Sequence, residues 1–188
     1  MSELSTNLYI MGRNSELPVE LGKIFKTIND AGSISSENIS CEIEKKVSIL
    51  FPDRGRALYR TFATSISNES CSLHEALVAE SRHEIEHGCC LHFVHGASGV
   101  VFINAIVKFI GSLSAEIDVR ACLLGDDDPW EIFYRYQDGG VVEEYCMPDH
   151  EEWEDGEFPP VYFWWHEGLP ESIKEGFINF WLESDEEE

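Results

Sequence analysis

The chain has 188 residues, of which 43% are hydrophobic and 12% aromatic, and this composition excludes a globally disordered protein. Its 36 acidic residues far outnumber its 13 basic residues and give a formal net charge of −23. A protein that grips nucleic-acid phosphates or an anionic membrane needs a positive surface. We therefore expect no direct nucleic-acid binding and no membrane association.

Three further features bear on the cellular compartment. No segment approaches the roughly 18 consecutive apolar residues that a transmembrane helix needs, and the N-terminal residues lack the basic and apolar regions of a secretory signal. The cysteines form no CxxC pair, and in a reducing compartment such residues usually behave as buried small hydrophobes. They are Cys41, Cys71, Cys89, Cys90, Cys122 and Cys146. These features predict a cytoplasmic protein.

Hydrophobic periodicity predicts alternating helices and strands in the first part of the chain. In chain order the predictions are a strand at 7–11, a helix with Pro18 in its first turn and Gly32 past its end, an extended segment at 38–51, helices at 56–66 and 73–87, a strand at 89–95 and an apolar helix at 98–113. Pro18 suits the first turn of a helix, and Gly88 is expected to end the helix at 73–87.

Turn chemistry organises the remainder of the chain. The turn sequences GDDDP and DGG separate three strand-like segments and predict an antiparallel meander. The segments lie at 116–124, 130–137 and 141–147, followed by a polar loop at 148–157, a fourth strand at 161–165 and a final amphipathic helix at 170–182. The predicted fold class is α+β, with helices packed on a mostly antiparallel sheet and a C-terminal β-meander over about 116–147.

Charge divides the predicted domain into two parts. We expect a single domain over 1–183, with a near-neutral part at 1–125 and a highly acidic, Trp-rich part at 126–183, followed by a disordered acidic tail at 184–188. Residues 126–188 contain 21 acidic and two basic residues, a net charge of −19, whereas residues 1–125 have a net charge of −4. All five tryptophans lie in the acidic third. Because disordered acidic tails are poor in aromatics, this third is predicted to fold and to display its carboxylates on a rigid surface.

One short motif suggests metal chemistry. The sequence HEIEH matches H-E-x-x-H and lies in the predicted helix at 73–87. Histidines four residues apart share a helical face and can both bind zinc, while the glutamate acts as general base on metal-bound water. Over these five residues the chain resembles the active-site helix of zinc metalloproteases, which implies His83 and His87 as zinc ligands and Glu84 as the base.

The surrounding residues depart from the metalloprotease patterns. The metzincin extension needs a histidine where the chain has Phe93, and the next predicted helix lacks the carboxylate that gluzincins place there. The alternative interpretation is an exposed polar helix face, with His87 near the helix C-terminus, where a cation is favoured. We favour this interpretation, and therefore expect no catalytic residue, no metal and no cofactor; zinc belongs only to the hydrolase alternative.

A structural zinc site is a further alternative for this part of the chain. The available donors are His83, His87, Cys89, Cys90, His92 and His95. Adjacent residues on a strand point to opposite faces, so Cys89 and Cys90 are expected to be core residues rather than ligands of one metal.

The acidic third is the main candidate for a binding surface. Duplex DNA carries one negative charge per ~1.7 Å of its axis, so a folded protein with dense carboxylates can occupy the same basic cleft. Aromatic residues among the charges would act as desolvated anchors. The candidate partner-binding residues are Asp126, Asp127, Asp128, Glu131, Glu143, Glu144, Glu151, Glu152, Trp153, Glu154, Asp155 and Glu157.

In size and composition the chain resembles two groups of small acidic inhibitors. These are immunity proteins that neutralise nuclease toxins, and DNA-mimic proteins that block restriction or CRISPR effectors. The resemblance implies a non-enzymatic inhibitor that blocks the nucleic-acid site of a basic partner protein. Two alternatives remain, a zinc-dependent hydrolase that uses HEIEH and an acidic adaptor or assembly protein.

Overall fold

The computed structural model describes residues 4–30, 36–68, 81–95, 99–125, 131–146 and 164–171. These ranges contain four helices and six strands. In chain order they are β1 (Leu4–Gly12), α1 (Glu16–Asp30), α2 (Ser36–Leu50), α3 (Gly55–Asn68), β2 (Ser81–Ile85), β3 (Gly88–His95), α4 (Gly99–Leu113), β4 (Ile117–Gly125), β5 (Glu131–Gln137) and β6 (Gly140–Cys146). The predicted strands at 7–11 and 89–95, the helices at 56–66 and 98–113 and the helix from Pro18 are confirmed.

The six strands form one sheet in the order β2-β3-β1-β4-β5-β6. Every neighbouring pair is antiparallel. β1 lies in the interior, where Leu8 is opposite Leu91 on one side and Ala121 on the other. The first four strands form split β-α-β units, in which β3 lies between β1 and β2 and β1 lies between β3 and β4. The predicted α+β class and the antiparallel meander are confirmed.

The two faces of the sheet are covered by different parts of the chain. On one face, Leu8, Ile10 and Phe93 pack with helix residues such as Phe25 and Phe102 in the larger of two buried clusters. We call this the helix face. A second cluster lies on the opposite face and includes Tyr9, Met11, Cys90, Cys122, Leu124, Phe133, Trp165 and Leu169. The central strands therefore contribute apolar side chains to a buried core on each face of the sheet.

The prediction of an extended segment at 38–51 is wrong, because residues 36–50 form the helix α2. The buried residues Ile43 and Val47 are four apart and share one helical face. Ile49 is 68% exposed and Cys41 is exposed, although a strand with period two would bury both together with Ile43. The apolar residues of this segment fit periods of two and of nearly four, and packing against α1 and α3 favours the helix.

The predicted helix at 73–87 is wrong over the part that the structure describes. Residues 81–85 form β2, and Glu86 and His87 form the turn to β3, with a left-handed φ of 67° at His87. Gly88 does not end a helix but begins β3. A Cβ atom at Gly88 would overlap the backbone carbonyl of Ile10, so the close approach of β1 requires glycine there.

Several C-terminal predictions fall partly or wholly outside the described residues. Residues 164–166 form a helical turn, so the predicted fourth strand at 161–165 is wrong at its last two residues. The loop at 148–157, most of the helix at 170–182 and the tail at 184–188 lie outside the described ranges. Across the described helices, none combines the length and apolar character needed to cross a membrane.

We expect Gly111→Ala to lower the free energy of unfolding by about 1–2 kcal/mol. A Cβ atom at Gly111 would overlap the ring of Tyr136, which packs against α4, and this overlap outweighs the better helix propensity of alanine. Urea denaturation measures the change. Gly140→Ala is the matched control, since a Cβ atom there has nothing within 4 Å; equal stability of both variants would contradict the proposed packing.

Candidate protein-binding surface

A tight hairpin positions the described part of the acidic third. Asp138 and Gly139 have φ values of 53° and 84° and form the two-residue turn between Gln137 and Gly140. Two consecutive left-handed residues are typical of a type I′ turn, whose twist matches that of the flanking strands. The DGG sequence therefore sets the register of β6 against β5.

This register places two candidate residues on opposite sides of the sheet. Glu143 is opposite Tyr134 and lies on the helix face, whereas Glu144 is opposite Phe133 and lies on the other face. Both carboxylates are exposed. Glu143 also accepts a hydrogen bond of 3.2 Å from the side-chain amide of Asn104 on α4, which orients its carboxylate.

Two exposed apolar side chains accompany these carboxylates. Val142 is 37% exposed and Tyr145 is 60% exposed. We define the β6 surface as Val142, Glu143, Glu144 and Tyr145. An apolar contact surface beside fixed charges is the usual composition of a protein-binding surface, in which an aromatic anchor is surrounded by polar groups.

Glu131 differs from the other described candidates. Its side chain is fully buried on β5, opposite Leu124 of β4. It is therefore not part of an exposed surface in this structure, and charge alone did not distinguish it from Glu143. The other candidates lie outside the described ranges: Asp126, Asp127, Asp128, Glu151, Glu152, Trp153, Glu154, Asp155 and Glu157.

The HEIEH sequence lies on the β2–β3 hairpin rather than on a helix. His83 and Glu84 are adjacent on β2 and point to opposite faces of the sheet. His87 lies in the turn, and its exposed ring is 3.4 Å from the Glu86 carboxylate. The spacing that puts both histidines on one side of a helix does not apply here, so the geometric premise of the hydrolase alternative is wrong.

The neighbouring cysteines are core residues, as predicted. Cys89 contributes to the helix-face core and Cys90 to the opposite cluster. Burial raises the pKa of the Cys89 thiol to about 12 and that of the Cys90 thiol to about 12, so neither is a thiolate at neutral pH. Within the ranges that the structure describes, no three His, Cys, Asp or Glu side chains are grouped to hold a metal ion.

A partly apolar groove of about 460 Å³ lies between α3 and α4. Its lining includes Phe62 and Phe109, whose rings stack with centroids 5.0 Å apart, as well as Lys108 and Glu143. The groove therefore reaches β6 at Glu143, and the helix-face side of the β6 surface continues into this concavity.

Two arginines that the sequence analysis did not single out connect residues 164–165 to the sheet. Arg120 is 1% exposed and donates hydrogen bonds to the Asp118 carboxylate, at 3.0 Å from Nε to Oδ1, and to the carbonyl of Trp165. Arg135 is its cross-strand neighbour and donates to the Trp164 carbonyl at 3.2 Å. We call Arg120, Arg135 and residues 164–169 the arginine clasp.

The indole of Trp165 completes the arginine clasp. Its Nε1–H donates to the backbone carbonyl of Tyr134 at 3.1 Å, and its ring is fully buried. Ring centroids lie 5.6 Å from Tyr9 and 5.3 Å from Phe133. The sequence contains a signal for the buried arginine, since Asp118 and Arg120 lie two residues apart in an apolar strand. Charged residues are almost never fully buried unless they are paired, so this spacing indicates a buried ion pair.

Comparisons with protein-family models, with curated proteins and with solved structures find no match. A functional assignment therefore rests on the residues of this chain.

We expect Arg120→Met to lower the free energy of unfolding by about 2 kcal/mol. Methionine retains much of the buried apolar volume but leaves the Trp165 carbonyl without its charged donor. Urea denaturation monitored by tryptophan fluorescence measures the loss. Arg60→Met is the control, because Arg60 is 66% exposed and pairs with Glu44 at the surface. A small and equal effect of both substitutions would contradict a structural role for the arginine clasp.

We expect Glu84→Gln to change neither the stability nor the biological activity of the protein. The Glu84 side chain is 66% exposed on β2 and lies 3.3 Å from the Arg82 guanidinium, a surface pair that contributes little. Urea denaturation, zinc content and activity are measured on the same preparation. If the variant were folded and loaded with zinc but inactive, Glu84 would be a general base and the hydrolase alternative would be correct.

Proposed function

We propose that this protein is a non-enzymatic acidic inhibitor that acts in the cytoplasm. It binds a basic partner protein and blocks the site at which that partner binds nucleic acid. The observation that carries the proposal is the β6 surface, where exposed carboxylates on both faces of one strand adjoin the exposed side chains of Val142 and Tyr145.

Electrostatics supports a basic partner. A net charge of −19 over residues 126–188 produces repulsion that opposes compaction, and solubility alone requires much less charge. Such a field raises association rates with a positive cleft, up to roughly 10⁸–10⁹ M⁻¹s⁻¹ at low salt. The same field repels nucleic acid, so the protein competes with DNA or RNA for the partner rather than binding them.

The apolar side chains account for how such a complex persists. Charges at the rim of an interface chiefly govern the association rate, whereas buried aromatic anchors slow dissociation. The Tyr145 side chain lies on the same face of the sheet as Glu143, two residues along β6. A partner can cover the ring while the Glu143 carboxylate remains at the edge of the contact. This arrangement distinguishes a binding surface from an acidic patch that only confers solubility.

The partner's chemistry separates the members of this functional class. A DNA-mimic anti-restriction or anti-CRISPR protein targets a restriction or CRISPR effector, and an immunity protein targets a nuclease toxin. Co-purification from the native host, with and without nuclease treatment, isolates the partner. A DNA or RNA duplex should then displace this protein from it. An acidic adaptor would instead bind the partner and the duplex at the same time.

We expect the double substitution of Glu143 and Glu144 by Lys to weaken binding to the isolated partner by about tenfold or more. Both side chains are exposed, so the free energy of unfolding should change by less than ~0.5 kcal/mol. Calorimetric titration measures affinity, and urea denaturation measures stability.

The matched control is the double substitution of Glu84 and Glu86 by Lys. It makes the same charge change at the β2–β3 hairpin, where both side chains are about two-thirds exposed. Equal weakening by the two pairs would indicate a response to net charge alone. An affinity unchanged from about 50 to about 500 mM salt would contradict the proposal, because salt screens a charge-driven interface.

A further inference from the structure

The outer edge of β6 carries backbone groups that β5 does not use. In the two-residue hairpin, Gln137 and Gly140 flank the turn and form a hydrogen-bonded pair. Hydrogen-bonded and non-hydrogen-bonded pairs alternate along an antiparallel ladder. The residues whose N–H and C=O groups point away from β5 are therefore Val141, Glu143 and Tyr145.

The side chains of these three residues share the helix face of the sheet. An added strand would therefore meet the Glu143 carboxylate between Val141 and Tyr145. The amide of Asn104 already hydrogen-bonds Oε2 of Glu143, and Oε1 can still accept a bond from a cation. The Tyr145 ring, 60% exposed, lies two residues along the same row. Backbone donors and acceptors, a carboxylate and an aromatic ring thus line the same edge.

A second copy of this chain does not suit the edge. Antiparallel pairing of two β6 strands around their centres would bring the carboxylates of Glu143 and Glu144 from both copies together. Like charges directly opposite each other destabilise a sheet, and charged residues on edge strands commonly prevent such self-pairing. In the described part of the sheet, β6 is the last strand in the order.

We propose that β6 binds an extended basic segment of the partner protein as an additional antiparallel strand, with Lys or Arg opposite Glu143. This inference rests on the proposed function and specifies how the partner is held. Backbone hydrogen bonds at Val141 and Glu143 would provide affinity without requiring a particular sequence. Specificity would come from the cation, which pairs with the Glu143 carboxylate and contacts the face of the Tyr145 ring.

The probe is a capped nine-residue peptide that alternates Lys and Thr. When Lys is opposite Glu143, the Lys backbone groups face β6 and the Thr backbone groups face solvent. N-methylation of the three central Lys amides removes donors to β6, whereas N-methylation of three Thr amides does not. We expect the Lys-methylated peptide to bind the full chain about tenfold more weakly than the Thr-methylated peptide. NMR titration measures both affinities and locates the contact.

Variants of the protein provide an independent test. Glu143→Gln removes the charge and keeps the outward N–H, whereas Glu143→Pro removes both, and proline is tolerated on edge strands where its nitrogen faces outward. We expect Glu143→Pro to bind the unmethylated peptide roughly fivefold more weakly than Glu143→Gln. Should Glu143→Pro fail to fold, the two methylated peptides still test the wild-type protein.

The outcomes separate this inference from the proposed function. Three results would each overturn strand addition. They are equal binding of the two methylated peptides, NMR shifts confined to elements other than β6, and no saturable binding of the unmethylated peptide up to about 5 mM. The proposed function would stand if the isolated partner were still displaced by a nucleic-acid duplex and still bound more weakly in salt. It would fail if salt and the charge reversals at Glu143 and Glu144 left partner affinity unchanged.

Discussion

The burial of Arg120 is the constraint on which the packing of residues 164–169 against the sheet depends. An antiparallel sheet has two faces, and the four described helices cover one of them. The other face presents Tyr9 and Phe133, which are covered by Trp165. Placing Trp165 there requires its backbone carbonyl to be paired away from water, and the guanidinium of Arg120 provides that pairing while Asp118 balances its charge.

The same interaction links the arginine clasp to the β6 surface through β5. Arg120 and Arg135 are directly opposite each other, so two like charges would repel unless each found an anionic or carbonyl partner. Arg135 finds the Trp164 carbonyl and, at 3.5 Å, the Glu167 carboxylate. Because the Trp165 indole also donates a hydrogen bond to the Tyr134 carbonyl, two consecutive residues of β5 are bonded to residues 164–165, and β5 in turn pairs with β6. In the proposed binding function, this support would lower the entropic cost of ordering the carboxylates of the β6 surface.

Charge and turn sequence predicted part of the candidate site, and burial decided the remainder. The Asp-Gly turn placed Glu143 and Glu144 on a hairpin strand, and the structure shows that both are exposed on opposite faces. Glu131 carries the same charge in the same third but is fully buried. The HEIEH spacing has meaning only on a helix, and pairing with β3 made that segment a strand instead. A short motif therefore depends on tertiary contacts that its own residues do not specify.

Local chemistry by itself determined much of this protein. Alternating apolar residues, the turn at DGG and the long apolar run of α4 specify the α+β class and the meander, because each depends on neighbouring residues. The uneven charge follows directly from the composition. Tertiary structure decided the features in which local patterns were ambiguous or silent. α2 is a helix because Ile43 and Val47 pack together on its buried side. β2 is a strand because its backbone pairs with the edge of β3. Arg120 is buried because the backbone carbonyl of Trp165 accepts a hydrogen bond from its guanidinium. The two residues are 45 positions apart in the chain, and a sequence pattern does not show that they lie close together in space.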